Sequence, residues 1–506
     1  MGRLEKYVSI VPSKQQYDLQ KMGAYAFIHF GMNTFTGKEW GDGQTPPSEF
    51  APASLSTDQW CEAILSAGLK GVILTAKHHD GFCLWRSDVT EYSVKNSPYQ
   101  GDVVEELSKS CKKYGLKMGL YLSPWDRNSE YYGTDKYNDF YIAQLTELLT
   151  RYGEVFEVWL DGACGSWMDG KPKQVYDFER IYDTVRKFQP NAIISNCGPD
   201  VRWIGNEGGL TRDSEWNVVP KFNADVQKIM ASSQQGDDQD MVDIDCVADD
   251  LGSRKILDKF DEFMWYPAEV DVSIRPGWFY HSSQDNMVRS IDNLLNIYYN
   301  SVGGNAMLLL NIPPDKRGLI HENDVTRLKE LGERIESGLK ERARVKNISA
   351  SREKKDYPVS NLLKKGVYSP ERSDKYVIDV NFKEISKIDK VMICEDVTHS
   401  QRIESFEVFV KYRGRSKRVY KGTTVGMKKI ALFKKWVYAD GMILVITSSR
   451  NEPYIEEFCA YISDGMLPKR PKFIKLKKFA HKMGYLAYVK REEKKKRKLN
   501  KTNNNC

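Results

Sequence analysis

Two carboxylates stand where reactive groups are expected. Asp161 ends the apolar run Phe156-Glu157-Val158-Trp159-Leu160 and is followed by Gly162, so its side chain should project from the carboxyl end of a strand. Glu207 follows the next strand-like stretch, on the glycine-rich segment Gly205-Asn206-Glu207-Gly208-Gly209. A carboxylate pair on adjacent strands is what glycosidic bond cleavage needs. One attacks or stabilises the sugar, and the other gives and then takes a proton; a retaining reaction needs them about 5–5.5 Å apart. Alone, either residue reads equally well as a helix cap or a solvated loop carboxylate.

Around the pair, polar and aromatic residues crowd the ends of other apolar runs. His29-Phe30-Gly31 follows the first run, and Lys77-His78-His79-Asp80-Gly81-Phe82 follows the second. Tyr121-Leu122-Ser123-Pro124-Trp125-Asp126 follows the third. Three of the seven histidines fall in two of these turns. Neighbouring residues such as His78 and His79 rarely turn to one ion, and no carboxylate-rich motif accompanies them, so no metal is expected. Neutral imidazoles that hydrogen bond sugar hydroxyls fit better. Trp40, Trp85, Trp125, Trp159, Trp203 and Trp278 lie near these turns and suit stacking on a sugar face, although some must be ordinary core.

The elements that must position these groups are legible as repeats. Strands are expected at 24–30, 71–77, 118–123, 156–161 and 192–196. Helical patterns lie between them at 55–69, with Ser56, Thr57 or Asp58 as cap, at 103–116 and at 138–153. Gly115 and Gly153 are stop signals. This alternation argues for a (β/α)8-like barrel or a doubly wound sheet. No GxGxxG turn follows the first strand, which weakens the nucleotide-binding alternative. A helix at 323–342 should close the first domain, residues 1–342. From 345 to 465 short alternating stretches (KYVIDVNF, KVMICEDV, SFEVFVKY, MILVITS) predict an all-β sandwich.

With 506 residues, 41% hydrophobic, disorder and coiled coil are excluded. No apolar run nears the roughly 20 residues that span a bilayer. The first twenty residues lack the apolar core of a secretory signal, so an intracellular, cytoplasmic location is expected. Nine cysteines without a CxxC pair read as free thiols. The net charge of +7 is uneven: fifteen Lys/Arg against two Asp/Glu in residues 466–506 give +13 there, leaving −6 on the rest. That tail is expected to be partly disordered. A solvated terminus accounts for it, with contact to an anionic surface as the alternative; no nucleic-acid partner is expected.

The motifs, taken together and in order, resemble the α-L-fucosidases of glycoside hydrolase family 29 over about residues 8–465. The matching stretches are His29-Phe30-Gly31-Met32-Asn33-Thr34-Phe35, Glu39-Trp40, Lys77 to Phe82 and Val158 to Gly162. Further on come Trp265-Tyr266-Pro267-Ala268-Glu269-Val270-Asp271, Ser273 to Phe279 and Leu308 to Pro314. The later ones look like the subfamily that prefers α-1,3/1,4-linked fucose in branched glycans.

The resemblance implies a retaining exo-acting enzyme without a cofactor, acting on a fucosylated oligosaccharide or glycoconjugate. Asp161 would be the nucleophile and Glu207 the acid/base, with Glu269 the competing acid/base candidate of an enzyme of broader linkage range. His29, Glu39, Trp40, His78 and His79 would bind fucose hydroxyls. Trp159 would line the pocket, Tyr121 would sit near the reacting centre, and Arg275 and Trp278 belong to a further binding motif. The 345–465 domain resembles the family's carbohydrate-binding-like domain and is read here as a buttress. A non-catalytic fucose-binding protein on the same fold, or a retaining glycosidase for another sugar, are the alternatives.

Overall fold

The computed structural model describes residues 2–164, 172–224 and 248–469. Among these, eight parallel strands form one sheet: β1 (Ala24–Ile28), β2 (Gly71–Lys77), β3 (Lys117–Leu122), β4 (Glu157–Leu160), β5 (Ile193–Asn196), β6 (Arg202–Trp203), β7 (Ala268–Ser273) and β8 (Met307–Asn311). Their order is β5-β4-β3-β2-β1-β8-β7-β6. A parallel bridge between Ser195 and Val201 brings β6 back beside β5, where the Asn196 N–H donates to Val201 O at 3.1 Å. The sheet is thus a nearly closed barrel.

The strands are apolar on both faces because both are covered. Alternate residues divide between two cores. Tyr25, Phe27, Ile73, Tyr121, Trp159 and Leu309 fill the barrel interior. Ala26, Ile28, Val72, Leu74, Leu120 and Leu308 face the helices. Six helices form the outer layer among the described residues: α1 (Thr57–Ser66), α2 (Val103–Tyr114), α3 (Lys136–Arg151), α4 (Phe178–Phe188), α5 (Ile291–Ser301) and α6 (Glu322–Gly338). Ser56, Asp102, Asp177 and Ser290 cap four of them, each side chain accepting a backbone N–H of the first turn. Gly115, at φ 71°, ends α2 in the left-handed conformation.

The strand–helix alternation breaks at one place. Only residues 197–201 join β5 to β6, too few for a helix. Between β6 and β7 the described residues hold an antiparallel ribbon of Val218–Pro220 and Phe263–Trp265 and a short helix of four residues, Arg254–Leu257. The helix expected at 323–342 ends at Gly338.

The second domain is a six-stranded antiparallel sheet: β9 (Val345–Ala350), β10 (Tyr376–Glu395), β11 (Ile403–Tyr412), β12 (Arg415–Gly422), β13 (Lys429–Ser449) and β14 (Ile455–Ile462). The two strands expected at KYVIDVNF and KVMICEDV are one strand, β10, of 20 residues. Register shifts at Asn381/Ser386 and Ile388/Lys390 let it bend without leaving the ladder, so the break in alternation marked a bulge and not a turn. Ile378, Val380, Phe406, Val408, Met442 and Leu444 are among its core. The sheet is tied to the barrel by Gly304 pairing with Lys429, by Met427 N–H on Asn305 Oδ1 at 2.8 Å, and by Arg254 gripping Glu404 at 2.8 and 2.6 Å. Cys61, Cys83, Cys111, Cys164, Cys394 and Cys459 are free thiols. No described helix is long and apolar enough to cross a membrane.

Candidate active site

Asp161 is the first residue beyond β4, at the carboxyl end of the barrel, and its side chain is 25% exposed. Both oxygens are oriented by donors: the Tyr121 hydroxyl reaches Oδ2 at 2.8 Å, and the Ala163 N–H reaches Oδ1 at 2.9 Å. Burial, then the Asp161 charge, pushes the Tyr121 hydroxyl well above its ordinary range, so it remains a donor. His79 Nε2 stands 3.9 Å from the same Oδ2.

Three buried imidazoles form the adjoining wall. The ring centroids of His78 and His79 are 4.0 Å apart, and those of His29 and His78 are 5.6 Å apart. Burial is the largest cause holding all three below the ordinary histidine value: His29 falls to about 3 and His79 to about 4. The protein side of two rings fixes their tautomers. Asn311 spends its amide hydrogens on Ser273 Oγ at 2.9 Å and Trp278 O at 2.8 Å, so its Oδ1 accepts from His29 Nδ1 at 2.8 Å. Ser123 Oγ donates to Trp125 O at 2.7 Å, and so accepts from His79 Nδ1 at 2.8 Å. Each ring is left with a bare Nε2 that can accept a hydroxyl hydrogen. His78 Nδ1 is buried and has no hydrogen-bond partner among the described residues.

Trp278 closes the opposite side. Its ring lies 5.0 Å from that of His29. Its backbone N–H donates to Glu39 Oε2 at 2.9 Å, and its indole N–H donates to Glu207 Oε2 at 3.2 Å. A Cβ at Gly277 would collide with Glu39 Oε1, so a side chain there would displace the Glu39 carboxylate from Trp278. Withdrawal from water raises the Glu207 carboxyl above its ordinary value; the Trp278 hydrogen bond opposes the rise, and the charges of Asp161 and Glu39 add to it. Two further indoles are held in the same way. Trp203 donates to Asp271 Oδ1 at 2.6 Å, and Trp159 donates to Glu269 Oε1 at 2.7 Å.

The α-L-fucosidase family model matches residues 44–337. The chain is 41% identical over 471 residues to α-L-fucosidase 1 of Arabidopsis thaliana, covering 89% of this chain and 87% of that one. The chain belongs to the α-L-fucosidase family. Among solved structures, the Ruminococcus gnavus GH29 fucosidase in complex with fucose is 32% identical, with a TM-score of 0.79 over 91% of this chain and 96% of that one. A Bacteroides ovatus protein provisionally given the same activity is 45% identical, with a TM-score of 0.81 over 93% and 78%.

This cleft brings together most of the residues singled out from the sequence. Asp161, His29, His78, His79, Tyr121, Trp278, Glu39 and Glu207 are linked by the contacts above. Trp159 is 6% exposed and packs 5.5 Å from Tyr121 and 5.4 Å from Phe27, forming the floor. Trp40 is half-exposed at the rim, its ring 6.1 Å from Trp125.

Arg275 is a correction. It is buried away from the cleft, its guanidinium bonded to Asp324 at 2.7 Å and Asp285 at 3.0 Å. It anchors the loop that presents Trp278, and its partners come from segments that sequence spacing does not relate. Trp85 is also core, with its N–H on Glu147 at 2.7 Å. Glu269 is buried inside the barrel, with Oε2 accepting from the Tyr25 hydroxyl and Oε1 from the Trp159 indole. The acidic stretch Gln234 to Asp240 and the tail beyond Lys469 lie outside the described residues. Asn311, Ser123 and Asp271 were given no role by the sequence reading, although all three sit inside quoted stretches. Strand alternation, with 269, 271 and 273 on one face of β7, was the available signal.

Proposed function

We propose that this fucosidase releases terminal α-1,3/1,4-linked L-fucose from branched oligosaccharides by a retaining double displacement. Asp161 attacks the anomeric carbon as Glu207 gives its proton to the departing glycosidic oxygen, so the carbon–oxygen bond breaks as the fucosyl ester forms. Glu207 then takes a proton from water, whose oxygen displaces Asp161 and frees fucose. The bare Nε2 atoms of His29 and His79 accept fucose hydroxyl hydrogens that would otherwise be unpaired once out of water. The faces of Trp278 and Trp159 supply apolar contact.

One observation carries the reading: Tyr121 and the Ala163 N–H hold the Asp161 carboxylate, the Trp278 indole holds Glu207 at 3.2 Å, and the two are joined through His79, His78, His29 and Trp278. Desolvation first, and then the Asp161 charge, raises the Glu207 carboxyl, which suits a proton donor. Burial raises the Glu269 carboxyl too, but two donors occupy it and its exposure is 2%. That favours Glu207 as acid/base. The linkage preference is supported by the resemblance of Arg202-Trp203-Ile204-Gly205-Asn206-Glu207 to the subfamily's acid/base loop.

The test is fucose release from a Lewis-type branched oligosaccharide, an α-1,2-linked fucoside and an aryl fucoside. Wild type should release fucose fastest from the branched sugar. Asp161→Ala should abolish release, and Glu207→Ala should slow it about 100- to 10,000-fold. Preferential cleavage of the α-1,2 linkage, or full activity in Glu207→Ala, would overturn the assignment.

A further inference from the structure

The second domain carries a surface that fucose hydrolysis does not use. From Lys411 to Tyr438 the chain has ten Lys and Arg and no Asp or Glu. Within that span, Trp436 and Tyr438 on β13 are 43% and 51% exposed, although large aromatic side chains are among the strongest drivers of burial. They are not isolated. Their ring centroids lie 5.5 Å apart, and Tyr412 at the end of β11 lies 6.4 Å from Tyr438, with its ring plane inclined by 29°. Ile385, 52% exposed on the bend of β10, belongs to the same corner.

Strand pairing sets the charges around these rings. Tyr438 is paired with Lys387 across β10 and β13, and Tyr412 with Arg415 across β11 and β12, so each pair shares a face. Lys387 Nζ lies 4.4 Å from the Trp436 ring centroid, and the Arg413 guanidinium 5.2 Å from that of Tyr412. Arg415, Lys434 and Lys435 are exposed and make no ion pair with any described residue. Asp440 accepts the Arg413 backbone N–H at 2.7 Å, Asp379 pairs with Lys411, and Glu384 precedes Ile385 in the chain. The corner lies at the opposite end of β12 from Thr423, which contacts the barrel through Asp213 O at 2.9 Å and Ser214 at 2.8 Å.

We propose that this corner binds an anionic polysaccharide, with Trp436 and Tyr438 stacking on sugar rings and the unpaired cations meeting carboxylate or sulfate groups. Aromatic faces flanked by cations need a ligand with both flat apolar faces and negative charge. A polysaccharide meets that need and belongs to the substrate class of a glycoside hydrolase. A lipid surface would favour inserting aliphatic side chains, and only Ile385 is of that kind here. The inference does not depend on which residues carry catalysis. Such a surface would concentrate the enzyme on an acidic glycan matrix while leaving the cleft free.

Full-length protein should be passed over sensor surfaces coated with polygalacturonate, with neutral dextran, with a single-stranded oligonucleotide and with anionic phospholipid vesicles. Binding is expected on polygalacturonate and not on dextran, weakening as salt rises. Trp436→Ala/Tyr438→Ala and Lys434→Ser/Lys435→Ser should each weaken it roughly tenfold, a loss typical of central interface residues. Thermal midpoint and turnover of a small soluble fucoside should not change. Wild-type binding in both variants would place retention elsewhere, such as the basic tail, and overturn the proposal. So would a loss confined to the lysine variant, tighter binding to vesicles or oligonucleotide, or no binding to polygalacturonate.

Discussion

The indole N–H of Trp278 donates to Glu207 Oε2 at 3.2 Å, while the backbone N–H of the same residue donates to Glu39 Oε2 at 2.9 Å. One tryptophan therefore joins the proposed acid to a carboxylate on the far rim and holds its ring 5.0 Å from His29. The hydrogen bond favours the ionised form of Glu207, an exposed side chain whose partial loss of water to its neighbours favours the neutral form.

Trp278→Phe should expose that balance. Losing the donor leaves partial desolvation and neighbouring charge unopposed, so the Glu207 carboxyl moves further up. An acid that stays protonated to higher pH carries the alkaline limb of kcat/KM upward with it. The smaller ring should also raise KM, by roughly tenfold or about 1.4 kcal/mol. A pH–rate profile on a soluble fucoside checks both; an alkaline limb that moves down would contradict the hydrogen bond's role.

Asp271 is expected to act on Glu207 through Trp203. It holds the Trp203 indole at 2.6 Å, and Trp203 begins the segment that carries Glu207. Burial, then the Glu207 charge, keeps Asp271 well above the ordinary carboxyl range, so a neutral residue is its closest replacement. Asp271→Asn retains an acceptor and should stay near wild type. Asp271→Leu leaves an indole N–H unpaired, at a cost of about 1–3 kcal/mol. Its kcat on a poor leaving group should fall roughly tenfold, with much less effect on an activated aryl fucoside that needs little protonation. Equal losses on both substrates would mean a purely structural role.

Glu269 should matter through Trp159 and not through proton transfer. Glu269→Gln keeps an acceptor for the indole while removing any acid, so it should retain activity within about tenfold, whereas loss of a general acid costs about 100-fold or more. Steady-state kinetics beside Glu207→Gln decides this, and a larger loss in Glu269→Gln would reverse the two assignments.

The histidine wall should make the protein acid-sensitive. His29 and His79, lowered by burial to about 3 and about 4, stay neutral in the folded state, whereas an unfolded histidine takes up a proton near pH 6.5. Their stabilising share is therefore complete above about pH 6.5 and is lost as pH falls toward 4, each contributing up to about 1.4 kcal/mol per pH unit. Raised carboxyls such as Glu207 and Asp271 act in the opposite sense, so the histidine share is isolated by comparing wild type with His79→Gln. Urea midpoints at pH 7.5, 6 and 5 should fall less steeply in the variant; parallel slopes would contradict the neutral assignment.

Much of the barrel was legible because parallel strands are buried on both faces and read as unbroken apolar runs, as at Gly71–Lys77. β6 was not, because Arg202–Trp203 is too short to form a run and is recruited by pairing with β7. The bend in β10 was read as two strands because a bulge interrupts alternation as a turn does. Asp161 was visible as a charge ending an apolar strand. Arg275 was misplaced because its partner Asp324 is distant in sequence, and a buried charge looks like a ligand-binding one until its partner is seen. Ser123 and Asn311 were missed because their work is to fix tautomers, which leaves no signature in composition or spacing.

The most direct measurement is covalent trapping. The enzyme should be incubated with a 2-deoxy-2-fluoro-fucosyl fluoride, whose fluorine at C2 slows breakdown of a fucosyl ester more than a good leaving group at C1 slows its formation. The account predicts inactivation with the mass of one fluorofucosyl group, located on Asp161 by peptide mapping and absent in Asp161→Ala. A label on another residue, or turnover that inverts the anomeric configuration without any adduct, would contradict it.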